Sequence, residues 1–426
     1  MNVLEDPLFR STRGLLTLPE CLAASYRAED IEIGRVQGHQ ARPWRLMLAQ
    51  LIALVQASGY DASSESECRR GLSIMSGGTG PWRVFPPLGE VGFLQPSHPA
   101  QRYTATVTSP ADLELMAAKN FDVRRRPSSD PEQWIFALCH RQTMGWYRGR
   151  GHYGGMRSRS APQPPVYMGS EPRASRLITR SLADSLEAEA MAADPKSHAL
   201  MWCTPWQPGE QLAPEDVHPL AIEICAPIVL ERIQGTVVAR LAPQKKPRTA
   251  GPATALPWSP RTQAKTGGWF PAAITPAKLN ARSLHRILFE SELPPTVTRS
   301  DETRIVIEGI CGSQGRTSGH YAVCVNAERA DWRDPVAWTA RRRRSEVLLE
   351  AISDACFAAR RKLTASNRGS LFAREGRASL DALYTEHILQ DTSVEYVARL
   401  IHKEAARQTM QLLPPPTSRP TRSERW

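Results

Sequence analysis

The sequence predicts an α+β protein, with a large mixed α/β N-terminal domain followed by a small C-terminal helical bundle. Three observations predict it. At 426 residues the chain is too long for one ordinary core. Between His218 and Leu241 it runs "HPLAIEICAPIVLERIQGTVVARL", β-branched stretches with the short interruptions of strand connections. After about Asp334 its apolar residues recur only at helical spacing. The expected division is therefore 1–333 for the α+β domain, 334–412 for the bundle and 413–426 for a disordered tail.

The elements follow in order. "PWRLMLAQLIALVQAS" (Pro43 to Ser58) predicts a helix of about four turns, too apolar to face solvent. "WRVFPPLGEVGFLQPSHPAQ" (Trp82 to Gln101) is loop and short strand, broken by prolines that cannot donate to a ladder. "RSLADSLEAEAMAA" is a helix. The strand run ends in a Pro-, Lys- and Arg-rich excursion from Ala242 to Gly268, and "ETRIVIEGICG" (Glu302 to Gly312) is a short strand running into glycines. In the bundle, "RSEVLLEAISDACFAARRKL" carries Arg and Lys at the end where the helix dipole favours cations. "ASLDALYTEHIL" and "TSVEYVARLIHKEAARQTM" follow, the second opening on a capping box from Thr392 to Glu395.

Composition narrows the function. An apolar fraction of 41% with 23% charged residues excludes a chain disordered throughout. Fifty-four basic residues against 43 acids give a net charge of +11, which favours a polyanionic partner, most simply nucleic acid. The eight cysteines stand singly, with no CxxC for a zinc ribbon or redox dithiol, as suits buried thiols in a reducing cytoplasm. "MNVLEDPLFRS" has acids where a signal peptide needs a basic and then an apolar stretch, and no run of about eighteen apolar residues exists. A soluble, cytoplasmic protein without a membrane partner is expected.

Catalysis finds little support. No GxSxG, HExxH or Walker loop occurs. "GRGHYGG" resembles a phosphate loop but lacks the Lys-Ser/Thr ending and the preceding apolar strand. No cofactor, metal or catalytic residue is expected. The alternative from this class is a basic enzyme assembled from His218, His320 and Glu308.

Binding is better supported. "MGWYRGRGHYGGMRSRS" (Met144 to Ser160) lies in a stretch with no acid between Glu132 and Glu171. Glycines such as Gly149, Gly151, Gly154 and Gly155 let main-chain N–H groups approach phosphates or base edges that a side chain would block. Arg148, Arg150, Arg157 and Arg159 supply charge to phosphates, and Trp146, Tyr147 and Tyr153 offer stacking faces. In "IEGICGSQGRTSGH" (Ile307 to His320), Gln314 stands between small residues, and its amide can replace one partner of a base pair. In "QKKPRT" (Gln244 to Thr249), Lys245 and Lys246 are flexible point charges suited to a groove or a phosphate. "RRRP" from Arg124 and "RRRR" from Arg341 read equally as phosphate clamps or solvated runs. A general nucleic-acid-binding scaffold accounts for these features too.

The order of these pieces resembles the CasA family, the large subunits of the type I-E CRISPR surveillance complex Cascade. "MNVLEDPLF", "GFLQPS", "GHYGGMRSRSAPQPP", "TPWQPGEQLAPEDVHPLAIEICAPIVLE" and "GICGSQGRTSGH" are similar to its motifs in sequence over most of residues 1–330. The resemblance implies a non-catalytic subunit that recognises the protospacer-adjacent motif (PAM) in double-stranded DNA, mainly through the minor groove, and wedges the duplex open to start an R-loop. It implies a glycine loop at Gly149, Gly151, Gly154 and Gly155, a lysine finger at Lys245 or Lys246, and a glutamine wedge at Gln314 with Gly315 after it. It also implies an N-terminal loop near the motif and the RNA 5′ end at Asn120, Phe121, Arg124 and Arg125, with phosphate contacts from the four arginines. The implied partners are the other Cascade subunits (backbone, small and RNA-end-capping), the CRISPR guide RNA, target DNA and the helicase-nuclease. The sequence departs from the family at Gly315, where alanine is usual, and in a bundle of three helices where the family has four.

Overall fold

The computed structural model describes residues 1–32, 35–114, 126–144, 165–244, 246–250, 255–263, 267–274, 279–313, 316–364, 369 and 372–413. The chain divides into two compact units. The first comprises Met1–Lys278 and Ser291–Val323, the second Leu279–Glu290 and Cys324–Trp426.

In the first unit, β1 (Phe9–Ser11) and β2 (Gly14–Leu16) form an antiparallel pair that leads into α1 (Leu18–Tyr26). Thr17 caps α1 in a complete capping box with Glu20, so two otherwise unpaired N–H groups find acceptors. α2 (Gly38–Ala57) packs against α1, α3 (Glu65–Met75), α5 (Pro131–Thr143), α6 (Ser175–Met191) and β6 (Val217–Ile222). That is why its apolar residues run round the whole helix. Leu46, Met47, Leu51, Ile52 and Val55 are at most 3% exposed, and each buried side chain of this size contributes about 1.5–3 kcal/mol.

The strands are distributed over small sheets. β3 (Ala105–Val107), just before the short α4 (Pro110–Leu113), pairs with β8 (Thr236–Leu241), which pairs in turn with β7 (Ile228–Ile233). β4 (Tyr167–Ser170) lies antiparallel to β11 (Arg304–Ser313), whose other neighbour is β12 (Arg316–Asn326). β5 (His198–Leu200) runs parallel to β6 (Val217–Ile222), and β9 (Arg261–Gln263) pairs with β10 (Trp269–Pro271). The helix α8 (Pro295–Thr298) packs on β4. β11 covers nearly the stretch expected at 302–312, running on through Gly309 and Gly312 to Ser313. At Gly309 an added Cβ would lie 2.6 Å from Ile274 Cδ1, so close packing explains this glycine.

The loop between Trp82 and Gln101 is held by side chains. Leu94 takes φ = +58°, a backbone state that costs an L-residue about 1–2 kcal/mol. Two buried glutamines hold it there. Gln95 Nε2 donates to the Val84 and Phe93 carbonyls at 2.9 and 3.2 Å, while its Oε1 accepts from Leu230 N at 2.6 Å. Gln142 on α5 donates to the Leu94 and Ala226 carbonyls and accepts from the Cys225 and Ala226 amides.

The second unit contains α7 (Ala281–Phe289), α9 (Pro335–Leu363), a π-helical turn at Phe372–Gly376, α10 (Arg377–His387) and α11 (Val394–Leu412). The stretch after Asp334 supplies three helices, the number expected there, and α7 from earlier in the sequence is a fourth in this unit. α7 precedes the strands β11 and β12 in sequence and joins the bundle through tertiary contacts. Its His285 Nδ1 meets Ser345 Oγ at 2.6 Å, Phe289 packs tilted against Trp338, and the Ala281 amide donates to Asp381 Oδ1. α11 is capped by Ser393, which accepts from Tyr396 N, not by Thr392. The Arg341–Arg344 run is neither clamp nor solvated face throughout. Arg341 is 6% exposed and bonds Asp331, Asp391 and the Gln390 carbonyl. No described helix is long and apolar enough to cross a membrane.

Candidate nucleic-acid interface

β11 organises the region where the sequence concentrates its binding motifs. α5 ends at Thr143, and Met144 packs against Ile310 of β11. Residues 145–164 follow, and the chain re-enters the described fold just before β4. There Val166 Cγ2 lies within 3.5 Å of the position a Cβ would take on Gly309. β4 then pairs with β11 from Glu308↔Tyr167 back to Ile305↔Ser170. Since that pairing is antiparallel, residues preceding Tyr167 lie on the side of β11 that leads to Ser313. Both ends of the 145–164 segment thus abut Gly309 and Ile310, on the strand that runs into Gln314 and Gly315.

A buried ionic network holds this arrangement to α2. Arg42, 6% exposed, donates through Nε to Glu308 Oε2 at 2.8 Å and through its terminal nitrogens to both oxygens of Glu171. Its guanidinium lies 4.0 Å from the centre of the Tyr167 ring, and Tyr167 donates its hydroxyl to Glu171 Oε1 at 2.5 Å. Burial opposes the charge on Arg42, but Tyr167, Glu171 and Glu308 outweigh it and raise its pKa. Burial and then the charge of Glu171 push the Tyr167 phenol well above its ordinary range, so it stays protonated as a donor.

Glu308 also accepts from His320 Nε2 on β12 at 2.7 Å. Burial would raise the Glu308 pKa, yet the bonds from His320 and Arg42 hold it below the ordinary carboxylate value. A folded value below the unfolded one contributes stability above about pH 4.3, lost as pH falls through the folded value. The stability difference between wild type and Glu308→Gln, followed by thermal unfolding, is therefore expected to be constant above about pH 5 and to close as pH approaches 3.

Beneath the same region His39, Glu114 and His140 converge. Burial above all, and then His39, Arg141 and His320, keep His140 neutral by lowering its pKa well below the ordinary value. Sequence reasoning missed this group and the Arg42 network. Arg42 and Glu308 stand 266 positions apart, and His39 and Glu114 75 apart, so no local spacing signals them.

Of the sequence-predicted site residues, Gly149, Gly151, Gly154, Gly155, Arg148, Arg150, Arg157, Arg159, Asn120, Phe121, Arg124, Arg125, Lys245, Gln314 and Gly315 lie outside the described residues. Lys246 is exposed. Its loop is braced against 204–212: Arg248 stacks on Trp206 at 4.8 Å and donates to the Thr204 and Pro205 carbonyls, and Thr249 bridges Leu212. The three residues of the enzyme alternative do not form one site. His320 and Glu308 meet, but the latter's carboxylate is also bound by Arg42. His218 accepts from Leu220 N on its own strand and lines a cavity with Leu54, Ala190 and Pro205.

No family model matches the chain, and no curated protein matches it in sequence. Solved structures do match its fold. A CasA from Thermus thermophilus superposes with a TM-score of 0.68 at 13% identity, covering 97% of this chain and 93% of that one. The Cse1 proteins of Acidimicrobium ferrooxidans and Thermobifida fusca give 0.64 at 13% and 14% identity, over 97% of this chain and 95% and 91% of theirs. A chain of a CRISPR RNA-guided surveillance complex gives 0.62 at 15% identity, over 97% and 99%. The fold is that of the CasA structures along nearly the whole chain.

Proposed function

We propose that this chain is a non-catalytic CasA-type large subunit of a type I-E Cascade, which recognises a PAM in duplex DNA from the minor groove and opens the duplex beside it. The observation that carries the reading is the anchoring of both ends of 145–164 on β11. On this reading a glycine- and arginine-rich segment and Gln314 act at one place on the DNA. In this reading the main chain of Gly149, Gly151, Gly154 and Gly155 lies against the groove floor, Lys245 or Lys246 reaches its acceptors, and the arginines hold phosphates. Gln314 enters the stack and offers its amide in place of a lost pairing partner. Unstacking costs a few kcal/mol, which the phosphate contacts offset. Guide RNA pairing then carries sequence specificity. Asn120, Phe121, Arg124 and Arg125 face the motif and the RNA 5′ end, and the second unit serves displaced DNA and the helicase-nuclease.

The test is a gel-shift titration at fixed salt with guide-loaded complex, with and without this chain, on duplexes that differ only in the base pairs flanking the target. Tight binding is expected to need both the chain and one set of flanks. Gln314→Ala is expected to weaken binding to paired DNA about tenfold or more, and to leave a pre-opened duplex unaffected. Affinity indifferent to the flank would leave a general nucleic-acid scaffold as the better account.

A further inference from the structure

We propose that His39, Glu114 and His140 form a binding site for one divalent transition cation, zinc by the chemistry of the donors, which fastens α2, the end of α4 and α5 to one another. The inference stands apart from the proposed DNA-binding role. Two imidazoles and a carboxylate are a ligand set that zinc accepts, with a fourth position left for water.

Geometry is the first argument. His39 Nε2 lies 3.3 Å from Glu114 Oε1 and His140 Nδ1 lies 3.5 Å from the same oxygen. One ligand atom from each of the three residues falls within 4.8 Å of the others. A tetrahedron with bonds of about 2.0–2.1 Å has edges of about 3.3–3.4 Å, so these separations suit donors around a common ion. The two imidazole rings stand perpendicular, at 89° with centres 5.1 Å apart.

Burial is the second. His140 is 1% exposed, yet neither of its ring nitrogens has a hydrogen-bond partner among the described residues. A buried imidazole ordinarily satisfies at least one nitrogen. A cation between Nδ1 and Glu114 would supply the missing interaction. Gln40 Nε2 donates to Glu114 Oε1 at 2.8 Å, the kind of outer contact that fixes a ligating carboxylate. The neighbouring Arg141, also buried, opposes a cation, which makes the site weaker than one built on thiolates.

Position gives the site its consequence. Glu114 immediately precedes 115–125, and His140 stands in the last turn of α5 before 145–164. One ion would tie down the roots of both segments.

The test uses the purified full-length chain, stripped with a chelator and titrated with zinc chloride by calorimetry and with cobalt chloride by absorption. Uptake of about one equivalent, a higher thermal midpoint with zinc, and the intense visible bands of four-coordinate cobalt are expected. His140→Gln is expected to abolish uptake, while His402→Gln on the exposed face of α11 retains it. No saturable binding by the wild type, or equal binding by His140→Gln, would overturn the proposal and leave a core triad of polar side chains. Should His140→Gln fail to fold, the cobalt spectrum of the wild type decides: the weak bands of hydrated octahedral cobalt sink the idea.

Discussion

Replacing Arg148, Arg150, Arg157 and Arg159 together by glutamine is expected to weaken duplex binding by the reconstituted complex about a thousandfold at 0.1 M salt. Each arginine that neutralises a phosphate releases condensed counterions and adds about 0.9 to the slope of log affinity against log salt. Four such contacts correspond to about 3.6, and hence to more than three decades between 0.1 M and 1 M salt. The slope, measured by titration at several salt concentrations, is the informative quantity. If affinity falls but the slope does not change, the arginines act on the fold of the segment and not on phosphates. If neither changes, the segment does not touch DNA. Glutamine keeps the length and polarity of each side chain, so this variant separates charge from shape.

Arg42→Ala is expected to destabilise the first unit by about 3–5 kcal/mol, the cost of leaving buried carboxylates without their counter-charge. Glu171 and Glu308 are 1% and 8% exposed, so neither can turn to water without moving β4 or β11. Calorimetry should show the transition of the larger unit shifted down. Adding Glu171→Gln and Glu308→Gln to Arg42→Ala should recover part of the loss, because uncharged amides are less costly to bury. A loss below about 1 kcal/mol in the single variant would mean that water reaches the cluster and the network is only decorative.

These residues show where sequence reading succeeds and fails. α2 was legible because Leu46, Met47, Leu51 and Ile52 leave no polar face, and only a buried helix tolerates that. The strands β6 to β8 were legible for the same local reason. The second unit's boundary was not, since α7 joins α9 and α10 across more than forty intervening residues, and its amphipathic pattern does not say which partner covers it. The strand β11 was legible through its glycines, but not the reason for them. At Gly309 the cause is a neighbour, Ile274, supplied from elsewhere in the chain. Arg341 read as part of a basic run, while its charge is consumed by Asp331 and Asp391. Gln95 stood out as part of a family motif, and the structure gives its reason in the three backbone groups it serves. The wedge, loop and finger residues were legible only by resemblance and chemistry, since all but Lys246 lie outside the described residues.

The anchoring of 145–164 at both ends has an evolutionary consequence. A segment whose termini are pinned side by side can lengthen, shorten or change its residues without redirecting the scaffold. Doubling the length of such a closed excursion costs only about 0.6 kcal/mol in chain entropy. Under the proposed function, selection for new target flanks would act on this insert as a replaceable cassette, while β4, β11 and Arg42 stay as they are. Transplanting the corresponding insert from one such protein into another, cut at Met144 and Val166, tests whether a DNA preference travels with it.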